Sequence, residues 1–229
     1  MIKSLSKSNL DFLIQLSKNN NREWFTEHKQ TYTNEHESII LFANDLLNLM
    51  NKHDVIETVS GKASLHRIYK DIRFSKDKTP YKTNWSGSFK RATKARRGGY
   101  YFHISPGNSF VAGGFFSPNT DDLKRIREDI DHNYEEWGKI LSNPIIKETF
   151  GELIGEQLSS NPKGYDKNHP AISLLRYKQF ILKHHFTDEE VLSPDFCVKM
   201  NETFQKLRLF FDHMSEVLTT DANGISLID

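Results

Sequence analysis

The residues best suited to chemistry lie between positions 67 and 83 of this 229-residue chain. Six basic side chains there surround two acids, Asp71 and Asp77, and apolar side chains are threaded between them. Guanidinium and ammonium groups bind phosphate and carboxylate, and a neighbouring carboxylate can orient them or act as a general base. The stretch therefore predicts an anion-binding site with Asp71 and Asp77 as its candidate catalytic residues.

The predicted site takes its ligand-binding residues from two separate segments. In an extended strand, neighbouring side chains point to opposite faces, so Arg67 and Arg73 would face outward if Ile68 faces the core. Aromatic rings nearby could stack on a ring of the ligand. The predicted ligand-binding residues are Arg22, Trp24, His28, Lys29, Arg67, Tyr69, Arg73, Lys76, Lys78, Tyr81 and Lys82.

A second interpretation of the same charges is structural. The two aspartates could instead pair with basic neighbours in an internal ion network that only holds the fold. Their available partners are Arg67, Arg73 and Lys78. The residue types alone do not decide between a site and such a network.

Charge is distributed unevenly along the chain. The formal net charge is +1, but positions 66–97 hold eleven basic and only two acidic residues. A segment of this kind can gather anionic partners, including nucleic acid, through contacts to phosphate. A nucleic-acid-binding module is therefore the less favoured alternative, and it would depend on Lys90, Arg91, Lys94, Arg96 and Arg97.

The common local motifs of enzymes are absent from the sequence. It contains no phosphate-binding G-x-x-x-x-G-K-[ST], no H-E-x-x-H zinc motif and no G-x-S-x-G nucleophile motif. His184 and His185 are adjacent on a predicted strand and would point to opposite faces, so they cannot share one ion. Cys197 lies on an apolar helical face and is predicted to be a core residue. The sequence therefore predicts no metal site, identifies no cofactor and leaves open whether the protein is an enzyme.

Helices near both ends of the chain must position the site. Apolar residues recur every three or four positions over 22–52, after Asn21 as N-cap, and again along a helix starting at Pro194. Thr187 and Glu190 predict a capping box shortly before that last helix. Short alternating runs over 54–116 and a later one over 177–186 predict an antiparallel sheet. The expected fold is α+β, a single domain over 1–229 with about five or six strands packed by long N-terminal and C-terminal helices.

Composition argues against a membrane protein and against a disulfide-bonded one. No run approaches the roughly 20 apolar residues that span a bilayer. A single cysteine excludes an internal disulfide, which favours a reducing compartment. The predicted location is the cytoplasm, without a membrane partner, and the sequence gives no indication of the oligomeric state.

Three motifs resemble one uncharacterised family. They are N-N-R-E-W-F with the His28, Lys29 and Tyr32 that follow it, the segment R-I-Y-K-D-I-R-F-S-K-D-K-T-P-Y-K-T, and P-K-G-Y-D before His169. Together they are similar to the bacterial and fungal family known as domain of unknown function 2461, over almost the entire chain. Lys70 stands where the family more often has arginine. The resemblance implies one domain and one shared site, and it implies no reaction.

The interpretation that joins these observations is a cytoplasmic α+β protein of unknown function with a basic cleft. Its expected partner is a small molecule that carries phosphate or carboxylate. Nucleic acid is the second expected partner, and a non-enzymatic scaffold or interaction protein is the third alternative.

Overall fold

One antiparallel sheet of four strands runs through the α+β fold. The computed structural model describes residues 3–92, 94–221 and 224–228. The strands neighbour each other in chain order: β1 (Trp85–Lys90), β2 (Gly99–Ile104), β3 (Ser109–Phe115) and β4 (Phe180–Phe186). The predicted fold class is confirmed. The predicted count of five or six strands is wrong, since the sheet has four strands in the described residues.

Helices precede, separate and follow these strands. The helices before β1 are α1 (Lys7–Lys18), α2 (Arg22–Glu27), α3 (Lys29–Met50) and α4 (Gly61–Ser64). Those between β3 and β4 are α5 (Thr120–His132), α6 (Tyr134–Leu141), α7 (Pro144–Phe150) and α8 (Ile172–Leu175). Those after β4 are α9 (Asp188–Val191), α10 (Phe196–Lys206) and α11 (Arg208–Thr219). A bilayer-spanning helix, both long and apolar, is absent from the described part of the chain.

The strands predicted before β1 do not form continuous ladders. The run after α4 pairs only through isolated bridges, Leu65 with Gly87 and Tyr69 with Tyr81. In the register of the Tyr69–Tyr81 bridge, Leu65 would face Trp85. The shift of its partner to Gly87 interrupts the ladder, as a bulge does, so this run adds no full strand to the sheet.

Helix starts follow the predicted caps, whereas helix lengths do not. The Asn21 side chain accepts a hydrogen bond from the Trp24 N–H at 2.9 Å, and Thr187 forms the expected capping box. The predicted helix over 22–52 breaks at His28, whose φ of −100° and ψ of 18° end α2 and begin α3. The C-terminal helix likewise breaks at Leu207, between α10 and α11.

The internal contacts of the chain divide it into two compact units. The first comprises the residues up to Phe89, Tyr101–Val111 and His185–Glu202. Its core forms around α3, which packs on α1 and α4 and buries Phe42 completely, 5.8 Å from the ring of Phe196. All of the predicted site residues belong to this unit.

The second unit comprises Lys90–Tyr100, Ala112–His184 and the residues from Thr203 onward. Its α5 packs on α11, and Tyr100 is buried between the rings of Phe204 and Phe211, at 5.0 and 4.9 Å. Each unit therefore has an aromatic core of its own. That the chain is a single domain stays a prediction.

Candidate functional site

The basic stretch folds as a two-stranded ribbon closed by a loop. Tyr69 and Tyr81 form an antiparallel bridge at its centre. The Lys82 N–H donates to the Ile68 carbonyl at 2.7 Å, and the Ile68 side chain is buried, as the alternation predicts. The extended segment ends before residue 71, where the loop of residues 71–79 begins. It is therefore shorter than the predicted strand, which had to reach Arg73.

Two ion pairs close this loop. Asp71 accepts hydrogen bonds from the Arg73 guanidinium, at 2.7 Å from Nη2 and 3.0 Å from Nε. Asp77 accepts from the Lys70 ammonium at 2.7 Å and from the Thr79 N–H at 2.9 Å. These contacts have the form of the internal network that the sequence left open, with Lys70 as the partner of Asp77.

Both aspartates are poorly suited to act as general bases. Hydrogen bonds from Arg73 lower the pKa of Asp71, and bonds from Lys70 and Thr79 hold the pKa of Asp77 well below its usual range. A general base is most effective when its pKa lies near the operating pH. The contacts therefore favour a role in shaping the loop, and a catalytic role stays a prediction.

Two further lysines that were predicted to bind the ligand lie on the same loop. The Lys78 ammonium donates to the Ile72 carbonyl at 3.0 Å, so its charge is directed onto the loop backbone. Lys76 is exposed and makes no hydrogen bond or ion pair with the described residues. Phe74, two positions before it, exposes 96% of its surface. This loop therefore extends into solvent.

Aromatic rings of α2 and α3 pack against the ribbon. Phe25 stacks on Tyr81 with ring centroids 4.0 Å apart and lies 5.1 Å from Tyr32 and 6.0 Å from Tyr69. The Lys29 ammonium lies over the rings of Phe25 and Tyr32, at 5.2 and 4.7 Å. We call Phe25, Tyr32, Tyr69 and Tyr81 the aromatic cluster. It brings together two segments that the sequence assigned to one site.

The Tyr32 and Tyr81 hydroxyls of this cluster are protonated donors. Burial, and then the neighbouring Tyr69, raise the pKa of both Tyr32 and Tyr81. The charge of Arg22 acts on Tyr81 in the opposite direction and does not cancel the rise. A protonated phenol can donate a hydrogen bond to an anion.

Four of the basic residues predicted to bind the ligand lie outside the loop of residues 71–79 and, like Lys76 and Lys78 within it, make no ion pair with a carboxylate of the described residues. They are Arg22, Lys29, Arg67 and Lys82, and we call them the cation group. Burial, and then the charge of Arg67, lower the pKa of Lys82. A cation that is partly desolvated next to another cation is destabilised, and an anion bound there would relieve both effects.

Trp24 and His28 line a cavity whose lining includes none of these cations. Their rings stack with centroids 4.0 Å apart and line a cavity of about 230 Å³. The other ionisable residues of that cavity are Asp11 and Glu35. Carboxylates would repel an anion, so this cavity does not extend the proposed anion site.

Two of the five cations assigned to nucleic acid are internal to the second unit. Arg91 is 2% exposed and donates to Asp212 at 2.8 Å and to the Ser215 hydroxyl at 3.2 Å. Arg97, whose side chain is 31% exposed, pairs with Asp122. The buried Arg91 guanidinium cannot reach the phosphate backbone of a nucleic acid, and that of Arg97 is already paired, so these contacts weaken the nucleic-acid alternative.

Metal binding and nucleophilic catalysis also have little support. No group of three His, Cys, Asp or Glu residues in the described ranges is arranged to hold a metal ion. Cys197 is fully buried, as predicted, and burial raises its pKa to about 12, so its thiol is unreactive at neutral pH. The adjacent His184 and His185, considered above as ligands of one ion, have different surroundings. His184 Nδ1 lies 2.7 Å from the Thr149 carbonyl, whereas His185 is exposed.

Comparison with known proteins yields one family. A family model described as conserved hypothetical protein (DUF2461) matches residues 8–213 of the 229. The chain belongs to this family. No curated protein and no solved structure matches the chain. The resemblance based on the three motifs is thereby confirmed, and the matched range contains both the ribbon and the helices that form the aromatic cluster.

This DUF2461 chain also has a row of rings that the sequence alone does not bring together. The ring of Tyr101 lies 5.8 Å from His66 and 5.8 Å from Phe110, and Phe110 lies 5.7 Å from His185. His103 stacks on Phe110 at 4.7 Å. We call these five residues the ring row. The available signal was the alternation of β2, which buries every second side chain and leaves the others partly exposed.

Proposed function

We propose that this protein binds a small molecule carrying phosphate or carboxylate at the cation group, beside the aromatic cluster. The observation that carries the proposal is that Arg67 and Lys82 lie near each other, while neither makes an ion pair with a carboxylate of the described residues. The nearby acids are engaged elsewhere, because Asp71 binds Arg73 and Asp77 binds Lys70. A bound anion would supply the missing counter-charge, and the tyrosine hydroxyls could donate to it.

The location that we propose is the cytoplasm. The only cysteine, Cys197, is buried as a free thiol, so the fold needs no oxidising compartment. We also propose that the chain acts as one domain.

The proposal is for binding and names no reaction, since Asp71 and Asp77 are poorly suited to act as general bases.

Pyrophosphate should raise the melting temperature of the protein. A ligand that binds only the folded state adds about 2.7 kcal/mol of stability at 100 times its dissociation constant. For a chain of this size, that corresponds to a rise of several degrees. The measurement is a thermal-shift titration with pyrophosphate, phosphate and citrate at constant ionic strength, with sodium chloride as the reference salt.

Variants of the cation group identify the binding site. Arg67→Ala and Lys82→Ala should each lose most of the pyrophosphate shift. Lys76→Ala should retain it, because Lys76 lies in the same basic segment but on the loop of residues 71–79, outside the cation group. Equal shifts in all three variants would place the anion elsewhere and contradict the proposal.

Anion affinity should fall as the pH rises through the pKa of Lys82, below the ordinary lysine range. Burial and Arg67 lower this pKa, and only the protonated ammonium attracts an anion. The pKa values of Tyr32 and Tyr81 are raised, so their hydroxyls keep their protons over the same range. Calorimetric titration with sulfate at increasing pH measures the effect.

The matched control is Lys82→Arg. Arginine stays protonated throughout this range, so the loss of sulfate affinity should disappear in this variant. An unchanged pH dependence in Lys82→Arg would show that another group controls anion binding.

A further inference from the structure

The ring row ends close to the cation group. His66 is its exposed last member, and its Nε2 lies 3.0 Å from the Ser88 hydroxyl, which fixes the imidazole on the sheet. His66 directly precedes Arg67, and the Lys82 N–H donates to the carbonyl of Ile68, the residue after Arg67, at 2.7 Å. Burial, and then the charge of Lys82, lower the pKa of His66. One end of the ring row and two cations without carboxylate partners therefore adjoin each other.

The sheet face that carries the ring row is unusual for a solvent-facing surface. A half-exposed antiparallel sheet normally alternates apolar residues toward the core with polar ones toward water. In β2 the buried positions follow this rule, but the intervening positions hold Tyr101 and His103, both partly exposed. Neighbouring β3 adds the partly exposed Phe110, whose ring lies 12° from parallel with that of His103.

Stacked rings beside cations match the two halves of one class of molecule. A row of aromatic and imidazole rings offers stacking to a planar heterocycle, and every nucleobase has such a face. The adjoining guanidinium and ammonium groups suit a phosphate. The imidazole of His66 is neutral at pH 7, because its pKa is lowered, so it serves as a stacking surface and not as another phosphate-binding cation.

We propose that the anion bound by the cation group is a nucleotide, whose base stacks on the His66 end of the ring row while its phosphate binds Arg67 and Lys82. This inference rests on the anion site proposed above and adds a base-binding surface to it. The base would extend the sequence of rings that already runs through His66, Tyr101 and Phe110.

The test compares AMP with its two halves by calorimetric titration. Base stacking on protein rings is substantial, so AMP should bind about tenfold more tightly than ribose 5-phosphate. Adenosine should bind more weakly than AMP, because it lacks the phosphate. Tetra-adenylate, titrated in parallel, distinguishes the source of the nucleotide. If tetra-adenylate binds more tightly than AMP, the natural ligand is a nucleotide unit within a strand. If it binds equally or more weakly, the natural ligand is the free nucleotide. Both results support the base-binding surface.

Three variants separate stacking from folding. His66→Ala should reduce AMP affinity about tenfold, to that of ribose 5-phosphate, and leave ribose 5-phosphate binding unchanged. His66→Phe should restore the preference for AMP, since phenylalanine keeps a stacking ring without the imidazole nitrogens. Phe74→Ala is the matched control, because it removes an exposed ring from the loop and not from the ring row. Circular dichroism confirms that each variant is folded.

The outcomes distinguish this inference from the proposed function. If ribose 5-phosphate binds and Arg67→Ala abolishes its binding, but AMP binds no more tightly, the anion site stands and the nucleotide inference is overturned. If none of the phosphorylated probes binds, the proposed function itself fails. An AMP preference that survives in His66→Ala would also overturn the base-binding surface.

Discussion

Replacing Arg91 with methionine should lower the free energy of unfolding by about 3 kcal/mol. The Arg91 guanidinium is buried and donates to Asp212 at 2.8 Å, to Ser215 at 3.2 Å and to the Arg97 carbonyl at 2.9 Å. Methionine fills part of the volume but donates to none of these acceptors. Asp212 is half-exposed and still pairs with Arg208 at 3.0 Å, so the expected loss comes mainly from the hydrogen bonds to Ser215 and the Arg97 carbonyl.

Chemical denaturation of the wild type and two variants measures this effect. Lys94→Met is the control, because it makes the same charge change in the same basic segment at an exposed position. It should alter the free energy of unfolding by less than about 0.5 kcal/mol. Similar losses of unfolding free energy in Arg91→Met and Lys94→Met would mean that the Arg91 guanidinium does not make the buried hydrogen bonds described above.

Arg91 also illustrates where a sequence-based prediction fails. Within the sequence it is one of eleven basic residues between positions 66 and 97, so a solvated or phosphate-binding face was the natural expectation. Its carboxylate partner, Asp212, lies 121 positions away. Local composition contains no information about a partner at that distance, so the burial of a guanidinium could not be inferred from it.

Local signals performed better where the physical cause is itself local. Asn21 and Thr187 cap helices as predicted, because a cap bonds to an amide only three residues away. The number of strands was wrong because pairing depends on register. Leu65 and Tyr69 lie in a β-like run, but the shift between their bridges prevents a continuous strand.

The candidate site was partly predictable for the same reason. The motifs selected two segments, the ribbon and α2, and the structure brings them together where Phe25 of α2 stacks on Tyr81. The sequence did not separate cations that are paired within the loop, such as Arg73, from those without a carboxylate partner in the described chain, such as Arg67. It also grouped Trp24 with the cations, although that ring lines a cavity with acids. Charge type is visible in a sequence, but pairing is a property of the fold.

Gly61→Ala should lower the free energy of unfolding by about 3 kcal/mol, because α4 meets the backbone of α3 at this residue. A Cβ atom there would lie 2.7 Å from the Ala43 carbonyl carbon, 2.7 Å from the Ile40 oxygen and still closer to the Asn44 nitrogen. The Gly61 N–H also donates to the Asn44 side chain at 2.6 Å, so the two helices cannot separate without losing this bond. Backbone atoms inside a helix cannot move aside as a flexible side chain can.

The matched control is Gly138→Ala, which makes the same substitution within α6. A Cβ atom there meets nothing within 4 Å, so this variant should gain about 0.5 to 1 kcal/mol from helix propensity. Urea denaturation of both variants measures the free energy of unfolding, which should fall in Gly61→Ala and rise in Gly138→Ala. Because α4 leads into the ribbon at Leu65, Gly61→Ala should also weaken pyrophosphate binding, measured by calorimetry at a temperature where the variant is still folded. A neutral effect of Gly61→Ala on stability would show that α3 and α4 do not meet at this residue.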